Sequence, residues 1–232
     1  MSVFSVFAHL VEHLADLLTP LCHDSATAAA IVLFTALVRL LVHPLSRAAA
    51  RGQRARAALR PRIAELRGRH AKDPERLRRA VLELHTAERV SPLSGILPGL
   101  LQLPAFFLLY HLFSTSAGSG LLAHRLFAAP LGGRWTDALA DGGPFGPAGL
   151  VYLGLFALVA AVATFTYRRA RRLAAAEPVV AGGLPGLGAV NRVAPFLSFL
   201  TLATVAAVPL AAALYIVTST TWSALERAAL YR

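Results

Sequence analysis

Cysteine is almost missing from this chain. The single Cys22 among 232 residues excludes an intrachain disulfide framework and a zinc cluster built on cysteines. Charge is scarce too: 15% of the residues are Asp, Glu, Lys or Arg, against about a quarter in a soluble domain. Acidic residues are scarcest, 12 against 23 Lys and Arg, and the net charge is +11. Nucleic-acid-binding chains can carry such a balance. Here the charge is confined to segments beside apolar runs, where anionic headgroups attract it, so sequence-specific nucleic-acid binding is not expected. The first 20 residues hold no Lys or Arg. Without a positive n-region they are not expected to be a signal peptide. Leu21 is also not the small residue that precedes a lipidated bacterial cysteine, so Cys22 is read as unmodified.

What is present is apolar length. Hydrophobic residues make up 56% of the chain, and nearly uncharged stretches occur at 26–46, 92–114, 148–167 and 193–225. The first three suit a hydrocarbon core of ~30 Å, which needs about 20 helical residues. The fourth is too long for one helix, and Pro209 near its middle removes a backbone donor. It is read as two short helices, 193–207 and 209–225. The rival reading is one tilted helix with a polar tail. With five spans, segments 47–91, 168–192 and 226–232 share one side and hold 20 Lys and Arg, while the other side holds two, Arg125 and Arg134. That asymmetry places the N-terminus outside and the C-terminus inside. The expected fold class is an all-α polytopic membrane protein with five transmembrane helices and a cytoplasmic helical hairpin, N-out and C-in.

The segments between the spans have their own patterns. Residues 1–25 form an outer lead-in. Phe7, Leu10, Val11, Leu14, Leu17 and Leu18 recur at helical spacing opposite His9, Glu12, His13 and Asp16, which predicts an amphipathic helix on the outer membrane face. In 47–91, Leu59, Ile63 and Leu66 mark one stripe, and Leu77, Val81 and Leu84 another. Asp73 and Pro74 between them read as an N-cap followed by proline at the first helical position. Two helices folding back would bury both stripes, with Pro61 bending or starting the first. A solvated basic loop beside anionic lipid is compatible with this. Segment 168–192 opens with Arg168, Arg169, Arg171 and Arg172 and runs into a Gly-Pro-rich cytoplasmic loop.

Arg39 is the only charged residue in the first span. A charge at the centre of a membrane helix is unfavourable by roughly 2.5–3.5 kcal/mol on insertion scales, so it commonly marks a pathway or a partner. The other reading is snorkelling: Arg39 stands five residues before Pro44, about 7 Å by helical rise, within reach of the cytoplasmic headgroups. Thr35 shares its face by i,i+4 spacing. Gln102 lies in the second span, and Tyr215, Thr218, Ser219 and Thr221 lie in the last. For the hydroxyl groups, a backbone or interhelical hydrogen bond is the alternative to lining a polar path. Phe106, Phe107 and Tyr110 read as packing. His9, Glu12 and His13 match the pattern of inverted zinc proteases, but no third ligand with a supporting motif follows. No cofactor or metal is expected.

The run from Leu59 to Tyr110 resembles the YidC-type membrane protein insertase family, with its mitochondrial and chloroplast relatives. The landmarks are Arg39, Pro61, Asp73, Pro92, Gly95, Pro98, Gln102, Pro104 and Tyr110, followed by Pro195, Pro209, Leu214 and Tyr215. Ser91 stands where the family usually has asparagine. Only Glu226–Arg232 follow the last predicted helix, so a short form without a long basic tail or a large outer domain is the expectation.

The resemblance implies a multi-pass protein of the bacterial inner (plasma) membrane that inserts and helps fold other membrane proteins. It implies a hydrophilic groove open to the cytoplasm, with Arg39 projecting into it and Thr35, Gln102, Tyr215 and Thr218 as lining candidates. Implied partners are nascent membrane proteins and anionic lipids, with a Sec translocon, a ribosome or a targeting receptor as further candidates. No bond-making chemistry is implied. A small solute or ion transporter and a lipid-binding scaffold subunit are the competing functions; internal repeats, frequent in transporters, are not seen.

Overall fold

The computed structural model describes residues 3–71, 73–88, 122–175 and 194–230. The second apolar span, 92–114, with Pro92, Gly95, Pro98, Gln102, Pro104, Phe106, Phe107 and Tyr110, lies outside the described residues, as does most of the loop 168–192. The described residues are helical apart from one two-stranded ribbon. In order they form α1 (Val3–Cys22), α2 (Ala26–Arg69), α3 (Pro74–Ala87), β1 (Arg125–Leu126), β2 (Ala129–Pro130), α4 (Trp135–Ala140), α5 (Pro147–Ala175), α6 (Leu200–Ala207) and α7 (Leu210–Leu230), with 3-10 turns at His23–Ser25 and Ala194–Phe199. The chain divides into two units, Met1–Leu40 with Phe107–Ala229, and Leu41–Phe106 with Leu230–Arg232.

Two helical stretches, His9–Leu59 and Pro147–Arg172, are long and apolar enough to cross a membrane, and Phe196–Ala207 is a shorter apolar helix. By length and composition these helices are consistent with an all-α membrane protein. α7 has 21 residues, about 31 Å at 1.5 Å per residue, but its Thr218–Thr221 stretch makes it less apolar.

In the first unit the core forms where small and branched side chains meet. Val11 and Ala15 of α1, Ala28 and Ile31 of α2, Leu131, Tyr152 of α5, and Leu210 and Leu214 of α7 build one cluster. Val159, Val205, Ala213 and Val217 build a second, joining α5, α6 and α7. The apolar side of α1 is divided. Val11, Leu14, Ala15 and Leu18 pack inward, while Leu10, Leu17 and Leu21 are exposed.

One end of this unit is tied by backbone hydrogen bonds. The first N–H groups of a helix have no intrahelical partner; in α7, Leu210 N donates to Gly133 O and Ala211 N to Leu131 O, both at 2.9 Å. Tyr152 Oη donates to the same Gly133 carbonyl at 2.6 Å. Trp135 packs edge-on to Phe156 at 5.2 Å and lies 5.7 Å from Tyr152. The β1–β2 ribbon is antiparallel, and Phe127 in its turn donates its N–H to Ser25 Oγ at 3.2 Å, just before α2 begins. At the other end of α5, Tyr167 packs on Phe196 and Phe199, at 5.1 and 5.8 Å. The beginnings of α5 and α7 thus share one end with residues 131–135, and the end of α5 meets the 3-10 turn before α6.

Between α6 and α7 the helix breaks at Val208. This residue is extended, φ −93° and ψ 159°, as sterics demand of a residue before proline.

In the second unit, α2 passes Pro44 and Pro61 without ending. Pro61 therefore does not start a helix, contrary to one of the two expected roles. Asp73 caps α3: its side chain accepts from Arg76 N at 3.1 Å, and Pro74 occupies the first turn. Leu59 is buried, and Ile63, Leu66, Leu77, Val81 and Leu84 are partly buried, while most of their neighbours are exposed. Arg62 pairs with Glu88 across the turn. Arg69 pairs with Glu65 at 2.5 Å and Arg76 with Asp73 at 3.2 Å. These ion pairs are exposed, so each contributes ~1 kcal/mol at most.

Candidate functional site

Two helices far apart in sequence meet at Arg39. The guanidinium, half-buried on α2, donates through Nη2 to Ser219 Oγ on α7, 180 residues away. Ser219 is 2% exposed. The contact has a local logic. Thr27, Ala28, Ala30 and Thr35 are buried on α2, and Ala211, Ala213 and Ala224 on α7, so the Arg39–Ser219 contact is made by the long arginine side chain reaching across. The charge makes the pairing consequential, since a hydrogen bond to an ionised group is worth about 1.5–3 kcal/mol, against about 1 for a neutral pair.

Thr35, one turn before Arg39, is 3% exposed and donates to Ile31 O at 2.7 Å. Its hydroxyl bonds within its own helix. Thr218 is partly buried and behaves likewise, donating to Leu214 O at 2.8 Å. Tyr215 stands one turn before Ser219 and within electrostatic reach of Arg39. Its buried hydroxyl lies beside Ser219, and Thr221 Oγ1 and Trp222 Nε1 are buried with no hydrogen-bond partner among the described residues.

The sequence-predicted residues divide accordingly. Arg39 and Tyr215 come together around Ser219. Thr35 and Thr218 bond to their own backbones. Gln102 lies outside the described residues. Trp222 was missed; one indole among aliphatic residues gives no signal of which face it takes. Ser219 ranked with several hydroxyls, and only the pairing with α2 singles it out.

The zinc-protease pattern on α1 does not make a ligand set. His9 Nδ1 and Glu12 Oε2 form an exposed pair at 3.3 Å, and among the described residues no group of three or more His, Cys, Asp or Glu is placed to hold a metal.

A model of the family described as 60Kd inner membrane protein matches residues 18–232. The chain belongs to the 60Kd inner membrane protein family. Relatives include the membrane protein insertase YidC of Anaeromyxobacter sp. (strain Fw109-5), 39% identical over 87 residues, which are 38% of this chain and 16% of that protein. The inner membrane ALBINO3-like protein 2, chloroplastic, of Chlamydomonas reinhardtii is 37% identical over 108 residues, 46% of this chain and 26% of that protein. The membrane protein insertase YidC of Ralstonia nicotianae is 35% identical over 115 residues, 50% of this chain and 19% of that protein. The matched segments thus span about a quarter or less of these relatives' own length.

Proposed function

We propose that this chain is a membrane protein insertase and chaperone, and that it works without making or breaking covalent bonds. The observation that carries the reading is membership of the 60Kd inner membrane protein family across 18–232, together with relatives named as insertases.

The proposed mechanism is electrostatic and solvational. An inserting protein must move a polar tail across a slab where each bare polar group costs several kcal/mol. A hydrophilic groove open to the cytoplasm shortens the dry part of that path. Arg39, held by Ser219, attracts acidic residues of the tail more strongly than in bulk water, because the effective dielectric is lower. Tyr215 offers a polar hydroxyl beside it, and Gln102, Thr35 and Thr218 complete the proposed lining. Hydrophobic segments of the cargo leave sideways into lipid, and their transfer drives the process.

The proposed topology is five spans, N-out and C-in, in a bacterial inner membrane, with 26–46, 92–114, 148–167, 193–207 and 209–225 crossing. The basic segment 47–91 is the proposed contact for anionic lipid, a ribosome or a targeting receptor, with a Sec translocon as a further partner. The test is reconstitution into proteoliposomes with a single-span substrate, scored by protease protection of its translocated tail. Protection above empty liposomes is expected. Solute flux without protection would favour a transporter, and neither would leave a scaffold.

A further inference from the structure

On a different face of α7 from Ser219, a cavity of about 150 Å³ opens between α5, the turn before α6, and α7. α5 contributes Val159, Val162 and Thr166 to its wall, and Thr201, Thr220 and Arg227 complete it. Arg227 Nε donates to Ser223 O at 3.0 Å, which holds the guanidinium against α7. α5 and α7 together carry five arginines, Arg168, Arg169, Arg171, Arg172 and Arg227, against one carboxylate, Glu226.

We propose that this cavity binds the phosphodiester headgroup of an anionic membrane lipid, with Arg227 and the threonine hydroxyls on the phosphate and Val159 and Val162 along the start of an acyl chain. The cavity has room for several water-sized groups. Thr220 donates to Ile216 O at 2.7 Å, and Thr201 to Ser198 O. These are additional hydrogen bonds at carbonyls, which carry two lone pairs each, so a hydroxyl can rotate from carbonyl to phosphate at little loss. Depth agrees with the assignment. Thr166 precedes the arginine run that ends α5 by two residues, and Arg227 lies in the last turn of α7. Both therefore sit at headgroup level if these helices span. The inference rests on the spanning reading, and its test measures lipid binding, which is independent of insertion activity.

Native mass spectrometry of the full chain in detergent, titrated with phosphatidylglycerol, phosphatidylcholine or inorganic phosphate, tests it. Retention of one phosphatidylglycerol in preference to phosphatidylcholine is expected. Arg227→Gln should weaken it about tenfold, as for loss of one charge-assisted hydrogen bond. Thr220→Val should weaken it less, and Arg172→Gln, which changes a charge outside the cavity, should leave it unchanged. Both Arg227 and Arg172 are exposed, so neither variant threatens folding. Equal weakening by Arg172→Gln would show diffuse attraction and overturn the site. So would unchanged binding in Arg227→Gln, equal retention of inorganic phosphate, or no phosphatidylglycerol bound to the parent.

Discussion

Replacing Ser219 with alanine should remove the Arg39–Ser219 hydrogen bond while changing almost no volume. Ser219 is 2% exposed and accepts from the Arg39 guanidinium. A hydrogen bond to a charged group is worth about 1.5–3 kcal/mol. Because Arg39 is only half-buried, the lower end applies, and about 1.5 kcal/mol of destabilisation is expected. For a chain of 150–250 residues each kcal/mol moves Tm by roughly 2–4 °C, so Ser219→Ala should lower the apparent Tm in detergent by about 3–6 °C. The comparison that isolates the bond is a cycle with Arg39→Leu. In that background the serine has lost its charged partner, so Ser219→Ala should have little further effect. Non-interacting sites add within about 0.3–0.5 kcal/mol. An equal Tm drop in both backgrounds would refute the reasoning, because the serine would then matter for packing alone.

Three further outcomes are expected. Asp73→Ala removes the cap of α3 and should reduce stability of the hairpin by about 1 kcal/mol, read as faster proteolysis within 70–88, whereas Glu88→Ala, which breaks only an exposed pair, should change it by less than ~1 kcal/mol. Gly149→Ala would bring its new Cβ to 2.4 Å from Gly143 O and 2.5 Å from Pro144 O; a shift of the turn before α5 should cost roughly 1–3 kcal/mol, and an unchanged Tm would contradict that packing. In a Cys22→Ser background, Thr136→Cys should react with an impermeant thiol reagent from outside and Arg172→Cys only from inside; the reverse would overturn the proposed orientation.

Several features were legible in the sequence because one residue type decides them locally. Asp73 followed by Pro74 announces a helix start, and the cap is there. Pro209 forces the residue before it into extended geometry, and the helix breaks at Val208. Other features were not legible. Hydropathy marks the first span as ending near Ser46, yet α2 continues to Arg69. The end of an apolar run is a boundary of solvent preference, whereas the helix follows the high propensity of Ala, Leu and Arg on either side. Prolines 44 and 61 did not outweigh that. The two-sided burial of α1 was hidden as well, since periodicity shows an apolar side but not whether protein or lipid covers it. Arg39 was visible as a charge out of place. Its partner required a contact across 180 residues, and no local pattern ranks Ser219 above Thr218 or Thr221.

The measurement closest to the central claim compares two insertion substrates, identical except that one carries Asp and Glu in its translocated tail and the other a neutral tail. Parent, Arg39→Lys and Arg39→Ala proteins are reconstituted, and protease-protected tail is scored for each pair. If the Arg39 charge attracts the cargo, Arg39→Lys should keep much of the activity, and Arg39→Ala should lose it chiefly for the acidic tail. Losing an attraction of ~1.4 kcal/mol lowers the acidic substrate about tenfold relative to the neutral one. Equal loss on both substrates, or none, would contradict the account and leave Arg39 as an anchor at the headgroups.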